Sequence, residues 1–312
     1  MSVARDNFVN RIRTIQGMLT EPLLVDGVLT NTIHNGRARL LRNGLMVAAF
    51  NSLEDFLRQR SAELLSFVSR TSLRFDDLPR ALMLAATLEA MKAAHVRAKL
   101  SMAQGDDPFP ILQLTAAEIA STASGPLSLS RFALGYSGSN VSADEVSTML
   151  AAFHVGDVWN ELTALSSRVG LGAVPLKDAF SQGSRLRNAA AHEPDANVQP
   201  TDLQSFCQQA TAIALGFDLL GSRAARLLHD STTPYGQRSK DKLASQLEII
   251  FVEHRGKQYA CIKEGARRAL RLLDDRETAW RTAISAARPG RLPVVERDRA
   301  VTPVRWISTD SP

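Results

Sequence analysis

The chain has 312 residues, 45% of them hydrophobic and 22% charged, with a formal net charge of +5 and two cysteines. That length allows one large domain or two small ones with a core of real size, and no apolar run approaches the roughly 18 residues that a membrane span needs. The opening Met1-Ser-Val-Ala-Arg-Asp carries charge at once, so no secretory leader is expected. Cys207 and Cys261 have no paired spacing and indicate neither a disulfide framework nor a zinc site. The expectation is a protein of the reducing cytoplasm, outside the membrane, with no metal or other cofactor.

The basic excess is uneven. Arginine supplies 30 of the basic side chains and lysine 7; residues 1–220 carry 19 basic and 21 acidic groups, whereas 221–312 carry 18 and 11. A basic end on a near-neutral body fits an anionic partner, and a solvated rim kept for solubility fits as well. Arginine's fixed charge and forked donors tilt the balance toward phosphate.

Alanine and leucine are abundant and β-branched runs scarce before residue 245, which fits a helical body. The first helix is expected over about Ala4 to Met18, followed by a turn-rich stretch from Thr20 to Gly36. The next covers about Ala38 to Arg70, with Phe50, Leu53, Leu57, Leu64 and Phe67 at helical spacing. Another runs from about Leu78 to Met102 and stops before Gly105-Asp-Asp-Pro-Phe-Pro. Residues 123–141 read as an irregular, Gly- and Ser-rich connector with room for one short helix.

Ser142-Ala-Asp-Glu145 is a capping-box pattern, so a helix should start at about Ala143 and reach about Phe153. Asp157 is placed to cap the next, ending near Gly170. A helix over 175–191 closes at Glu193-Pro194, and a long one runs from Thr201-Asp202 to about Asp230. Ser231-Thr-Thr-Pro-Tyr-Gly reads as a linker. Beyond it, Glu248–Val252 and Tyr259–Ile262 form a predicted hairpin, a helix spans about Glu264 to Ala286, and two short strands lie at Pro293–Glu296 and Val304–Ile307. The divisions are an N-terminal helical extension (1–40), a helical domain (41–230) and a basic α+β module (231–312), mainly α overall.

The segment with chemical content is Arg185-Leu-Arg-Asn-Ala-Ala-Ala-His192-Glu-Pro. Histidine can exchange a proton near neutral pH, and arginine can hold a phosphate and offset charge developing on it. Together Arg187 and His192 could drive a ribose 2′-hydroxyl onto the adjacent phosphate without a metal. On an ideal helix they lie about 140° apart, so they converge only if the helix unwinds at its end or if two copies meet across a two-fold axis. Gly183, Ser184 and Ala189 to Ala191 are small enough to admit a partner helix or an RNA backbone. An arginine and histidine at a helix end are also a common dipole pair that caps carbonyls.

Glu54 falls in the apolar stripe of its helix, about 40° from Phe50 and 60° from Leu57. A carboxylate there requires a cationic partner, for which Arg185 or Arg187 is suited, or a shifted pKa, unless it reaches water at the stripe edge.

Arg187-Asn188-(Ala)3-His192 resembles the arginine–polar–x3–histidine signature of the HEPN superfamily of helical ribonucleases. AAFNSLEDFL (48–57), YSGSNVSADEVSTML (136–150), VWNELTAL (158–165) and LRNAAAHEP (186–194) look like its RiboL-PSP-HEPN branch. The resemblance covers roughly residues 45–230 and implies a helical bundle of four or five helices that forms a homodimer with its motifs facing. It also implies metal-independent cleavage of RNA leaving 2′,3′-cyclic phosphate and 5′-hydroxyl ends. In the family such nucleases are often toxins or antiviral defence effectors restrained by an antitoxin or regulatory protein; others only bind RNA or a protein. By that resemblance Arg187 and His192 are the catalytic pair, Asn188 the polar residue beside them, and Glu54 the acid that positions the arginine. Ser139, Asn140 and Ser142 read as turn and cap residues, and Trp159 as core. Arg255, Lys257, Arg267, Arg268 and Arg271, with Tyr259 and Trp306, lie outside the resemblance and read as a basic solvated face, with RNA or partner binding as the alternative.

Overall fold

Helix-forming composition and well-spaced caps yield nine α-helices before residue 231 among the described residues, a count that treats each stretch around a π segment separately. The computed structural model describes all residues except Met1, Gly125, Ser137, Ser139, Gln237, Ser311 and Pro312. Helix α1 (Val3–Met18) is capped by the Ser2 hydroxyl, and α2 (Thr32–Val68) by the Asn31 side chain. Helix α3 (Arg80–Leu84) continues through a π segment, Ala85–Glu89, into α4 (Ala90–Gln104), which ends on Gly105 in the left-handed conformation. Then follow α5 (Phe109–Ala120), α6 (Ala143–Ala152), α7 (Val158–Arg168), α8 (Leu176–His192) and α9 (Pro200–Asp230).

The Ser142/Glu145 capping box is formed in both directions. Asp157 occupies the N-cap of α7 but with left-handed backbone, and its carboxylate accepts from the Asn160 side chain instead of capping. Two expectations need larger corrections. Helix α2 starts at Thr32 rather than near Ala38, because Asn31 caps it and His34 Nε2 ties back to the Val25 carbonyl at 2.8 Å, so Gly36 lies inside the helix. Helix α5 fills the stretch after the 105–110 breaker, where none was expected. It packs on α4 and leaves Phe109, Leu112 and Leu114 exposed. The described residues of 123–141 contain no helix; Ser139 lies outside them.

Beyond α9 the chain forms β1 (Ile250–Arg255), β2 (Gln258–Lys263), β3 (Arg271–Leu273), α10 (Arg276–Ala287), β4 (Val294–Arg297) and β5 (Pro303–Ile307). The sheet order is β3-β2-β1-β4-β5, with β1 and β4 parallel and the other pairs antiparallel. The long helix expected from Glu264 is replaced by a turn at Gly265 (φ +74°), edge strand β3, and a shorter α10 that Asp275 caps by accepting from the Thr278 N–H.

The three proposed divisions do not match the packing. Residue 40 falls within α2, and α1 packs against both α2 and α9. The stretch read as a linker holds Tyr235, which is buried, takes the Asp77 carbonyl through its N–H at 2.8 Å, and meets the His154 ring. One face of the sheet (Phe251, Ile262, Val295, Trp306) joins the core of the bundle, while the other (Ile250, Val252, Cys261, Val294) is covered by Ala279 and Ala283 of α10. The C-terminal strands are therefore part of the main core. A buried polar network fixes them: Asp218 on α9 accepts from Arg60 Nε (2.7 Å) and from Trp306 Nε1 (2.8 Å), and Ser222 bridges Asp218 and Arg60.

No described helix is long and apolar enough to cross a membrane.

Candidate active site on the α8 helix

The inner stripe of α8 is Leu176, Ala179, Phe180 and Gly183, all buried. Phe180 lies 5.4 Å from Phe50 on α2 and 5.8 Å from the half-buried Trp159, whose Nε1 donates to the Ala143 carbonyl. A Cβ at Gly183 would come within 2.3 Å of Phe206, so this glycine serves contact with α9 and is not open to a partner or an RNA backbone.

Arg187 follows Gly183 by four residues and continues the same stripe, which explains its half-buried state beside the exposed Arg185, Asn188 and His192. Its Nη1 donates to Asn188 Oδ1 at 3.0 Å and its Nη2 to Asn51 Oδ1 of α2 at 3.5 Å. Its Nε is buried without a hydrogen-bond partner among the described residues. Glu54 lies one turn beyond Asn51 and is 4% exposed. Its direct partner is neither Arg185 nor Arg187: Oε1 accepts the Val141 N–H at 2.5 Å, holding the connector just before α6. Burial pushes the Glu54 carboxyl above its ordinary value. The Val141 hydrogen bond and the charges of Arg58 and Arg187 pull it back, and Glu145 adds to the rise. Arg187 thus acts on Glu54 across space, behind Arg58.

His192 is the last residue of α8, exposed, and without a hydrogen bond or ion pair among the described residues. The helix does not unwind before it. The chain turns extended at Glu193 (φ −104°, ψ 117°), whose N–H donates to the Ala189 carbonyl at 2.8 Å. The offset of about 140° between Arg187 and His192 therefore stands, and no hydrogen bond joins the pair within the described chain.

Two further side chains shape this end of α8 and were missed in the sequence. Asn43 donates to the Ala196 carbonyl (2.8 Å) and accepts the Val198 N–H (3.1 Å). Arg42, 1% exposed, donates to the Val198 carbonyl, Asn197 Oδ1 and the Leu24 carbonyl, each at 2.8 Å, and pairs with Asp26. Their signal was an arginine at an apolar-stripe position, between Ala38 and Met46. The outer stripe of α2 (Ile33, Leu40, Leu41, Gly44, Ala48) is exposed and leads at helical spacing to Asn51, beside Arg187. Val28 and Leu29 of the preceding loop extend the exposed apolar surface.

Of the other histidines, His34, His154, His229 and His254 have ring or hydrogen-bond partners, and His95 is exposed. No group of three His, Cys, Asp or Glu side chains among the described residues is arranged to hold a metal. No protein-family model, curated protein or solved structure matches the chain.

Proposed function

We propose that the protein is a metal-independent endoribonuclease of HEPN type, acting as a homodimer in the cytoplasm. The observation that carries this reading is the presence on one helix of a half-buried Arg187, its Nε unpartnered among the described residues, and an exposed His192. Their separation round the helix favours a site in which the arginine of one copy works with the histidine of the other. The exposed apolar stripe of α2 beside Arg187 suits coverage by a second copy.

In this mechanism neutral His192 takes the proton from the ribose 2′-hydroxyl. The O2′–P bond forms as the P–O5′ bond breaks, and Arg187 offsets the charge gathering on the non-bridging oxygens. Solvent supplies the proton to the departing 5′-oxygen, and His192 gives up to solvent the proton it took. The products are a 2′,3′-cyclic phosphate and a 5′-hydroxyl. Asn188 holds one arm of Arg187, and Glu54 secures the connector while its charge steadies the arginine. In the cell this activity would be that of a toxin or defence effector under control of an antitoxin or regulatory protein.

Purified protein incubated with single-stranded RNA in EDTA should give cyclic-phosphate ends. His192→Ala and Arg187→Ala should each lower the rate by about 10²-fold or more, with unchanged thermal melting. Intact RNA across several sequences, accompanied by salt-sensitive RNA binding, would favour a non-catalytic RNA-binding module instead. Cleavage persisting in both variants would remove the site assignment.

A further inference from the structure

The parallel strands β1 and β4 end side by side, and beyond their C-terminal ends is a cleft of about 360 Å³. It is lined by His254, Tyr259, Arg276, Arg297, Asp298 and Arg299, with the buried Glu296 beneath. His254 and Glu296 follow Val252 and Val294 by two residues, so they share the sheet face on which α10 packs.

Most of the charges here are already committed. Glu296 is shared between Arg276 Nε, at 2.5 Å, and Arg305 Nε. Arg305 also reaches Glu277 at 2.9 Å. Asp298 Oδ1 accepts the N–H groups of Ala300 and Thr302 within its own loop. Arg297 pairs with Glu253, donates to the Arg168 carbonyl and covers the Phe251 ring.

Two cationic side chains keep donors that face solution. Arg276 uses only its Nε for Glu296, and its side chain is 46% exposed. Arg299 is exposed, and its one hydrogen-bond partner among the described residues is His254 Nε2 at 3.5 Å. Arg13 of α1 donates to the Val304 carbonyl, and Val304 borders the cleft. Burial, then repulsion from Arg276 and Arg305, holds its guanidinium below the usual range, with Glu296 partly offsetting. The cluster has more cation than its carboxylates absorb, and the excess faces the cleft.

We propose that this cleft binds a nucleotide, its phosphate held by Arg276 and Arg299 and its base lying against Tyr259. Guanidinium forks match phosphate oxygens, an aromatic wall accepts any base, and the volume lies in the range of small-ligand sites. A free nucleotide and the 5′-phosphate of an RNA end offer the same chemistry. The site is separate from the α8 motif, so it stands whether or not the protein cleaves RNA.

Calorimetric titration of the full chain tests it, using AMP, inorganic phosphate, and matched tetranucleotides with and without a 5′-phosphate. The tetranucleotides are 2′-O-methylated, so no attacking hydroxyl is present. AMP should bind about tenfold more tightly than inorganic phosphate or better. Arg299→Ala should weaken AMP by about tenfold or more, as should Tyr259→Leu, whereas Arg255→Ala, at the end of β1 and outside the cleft lining, should not. A 5′-phosphorylated tetranucleotide that outcompetes AMP would identify an RNA end as the source, and the reverse order a free nucleotide. No binding of any probe up to roughly 5 mM, or equal AMP affinity in folded Arg299→Ala, would overturn the site. Phosphate binding as tightly as AMP would overturn the nucleotide assignment.

Discussion

Glu54 is almost fully buried, and its carboxyl is raised by that burial. An acid raised in the folded state keeps its proton there at pH values where the unfolded chain has released it. Its contribution to stability is therefore most favourable below the ordinary value of 4.5 and declines as pH rises through the folded value. Glu54→Gln keeps an acceptor for the Val141 N–H and removes the charge, so its stability relative to wild type should improve from acidic to neutral pH. At neutral pH it should lie within about 1 kcal/mol of wild type. Glu54→Leu leaves the Val141 N–H buried and unpaired, at a cost of about 1–3 kcal/mol. Urea melts of both variants at acidic and neutral pH check this, and a Gln-to-wild-type difference that does not move with pH would contradict it.

At the scale of elements, α2, α9 and β5 meet at one buried carboxylate. Asp218 is fully buried, and its two oxygens serve Arg60 and Trp306. Asp218→Ala should cost about 3–5 kcal/mol, because the Arg60 guanidinium stays buried without that counter-charge. Trp306→Phe keeps most of the packing but strands Asp218 Oδ2, for about 1–3 kcal/mol. Chemical denaturation checks both, and a neutral Trp306→Phe would mean that water replaces the indole. The same contacts mean that deleting residues 231–312 would open the bundle core at Phe251, Val295 and Trp306, so the truncated chain should aggregate. Much of this architecture is legible in sequence where the signal is local: the Ser142 capping box, the apolar stripe of α2, the Pro194 stop after His192 and the β1–β2 hairpin. What is hidden is set by distant contacts or by composition that fits two states. ARRALRLLDD reads as helix yet is divided by edge strand β3, and α5 follows a breaker that promised only loop. The parallel pairing of β1 with β4 joins residues 44 apart in sequence and has no local signature. In the candidate site, Arg187 and His192 are readable as a spacing, whereas the Asn51 and Val141 contacts depend on which helices meet.

For the whole molecule, part of the arginine excess serves to hold the fold together. Arg42, Arg60, Arg168, Arg226 and Arg297 are spent on carbonyls, carboxylates and rings that join segments far apart in sequence. Others stay open to solution: Arg255, Arg267, Arg268 and Arg271, Arg276 and Arg299 at the cleft beyond β1 and β4, and Arg185 toward the open end of α8. In one copy Arg187 and His192 point to different sides of their helix, which is the ground for proposing a site shared by two copies. Leu40→Arg on the exposed stripe of α2 should therefore give a folded monomer with little cleavage, read by light scattering and RNA assay together. The more discriminating test mixes two inactive proteins. If each site takes its arginine from one copy and its histidine from the other, an Arg187→Ala/His192→Ala heterodimer has one site with both defects and one with neither. Random exchange makes about half the dimers mixed, each with one of two sites intact, so about a quarter of wild-type activity should return. A site built within a single chain would stay dead in every dimer of the mixture. Recovery that grows with time of subunit exchange would assign the chemistry to the interface, and absence of recovery after complete exchange would assign it to the isolated helix.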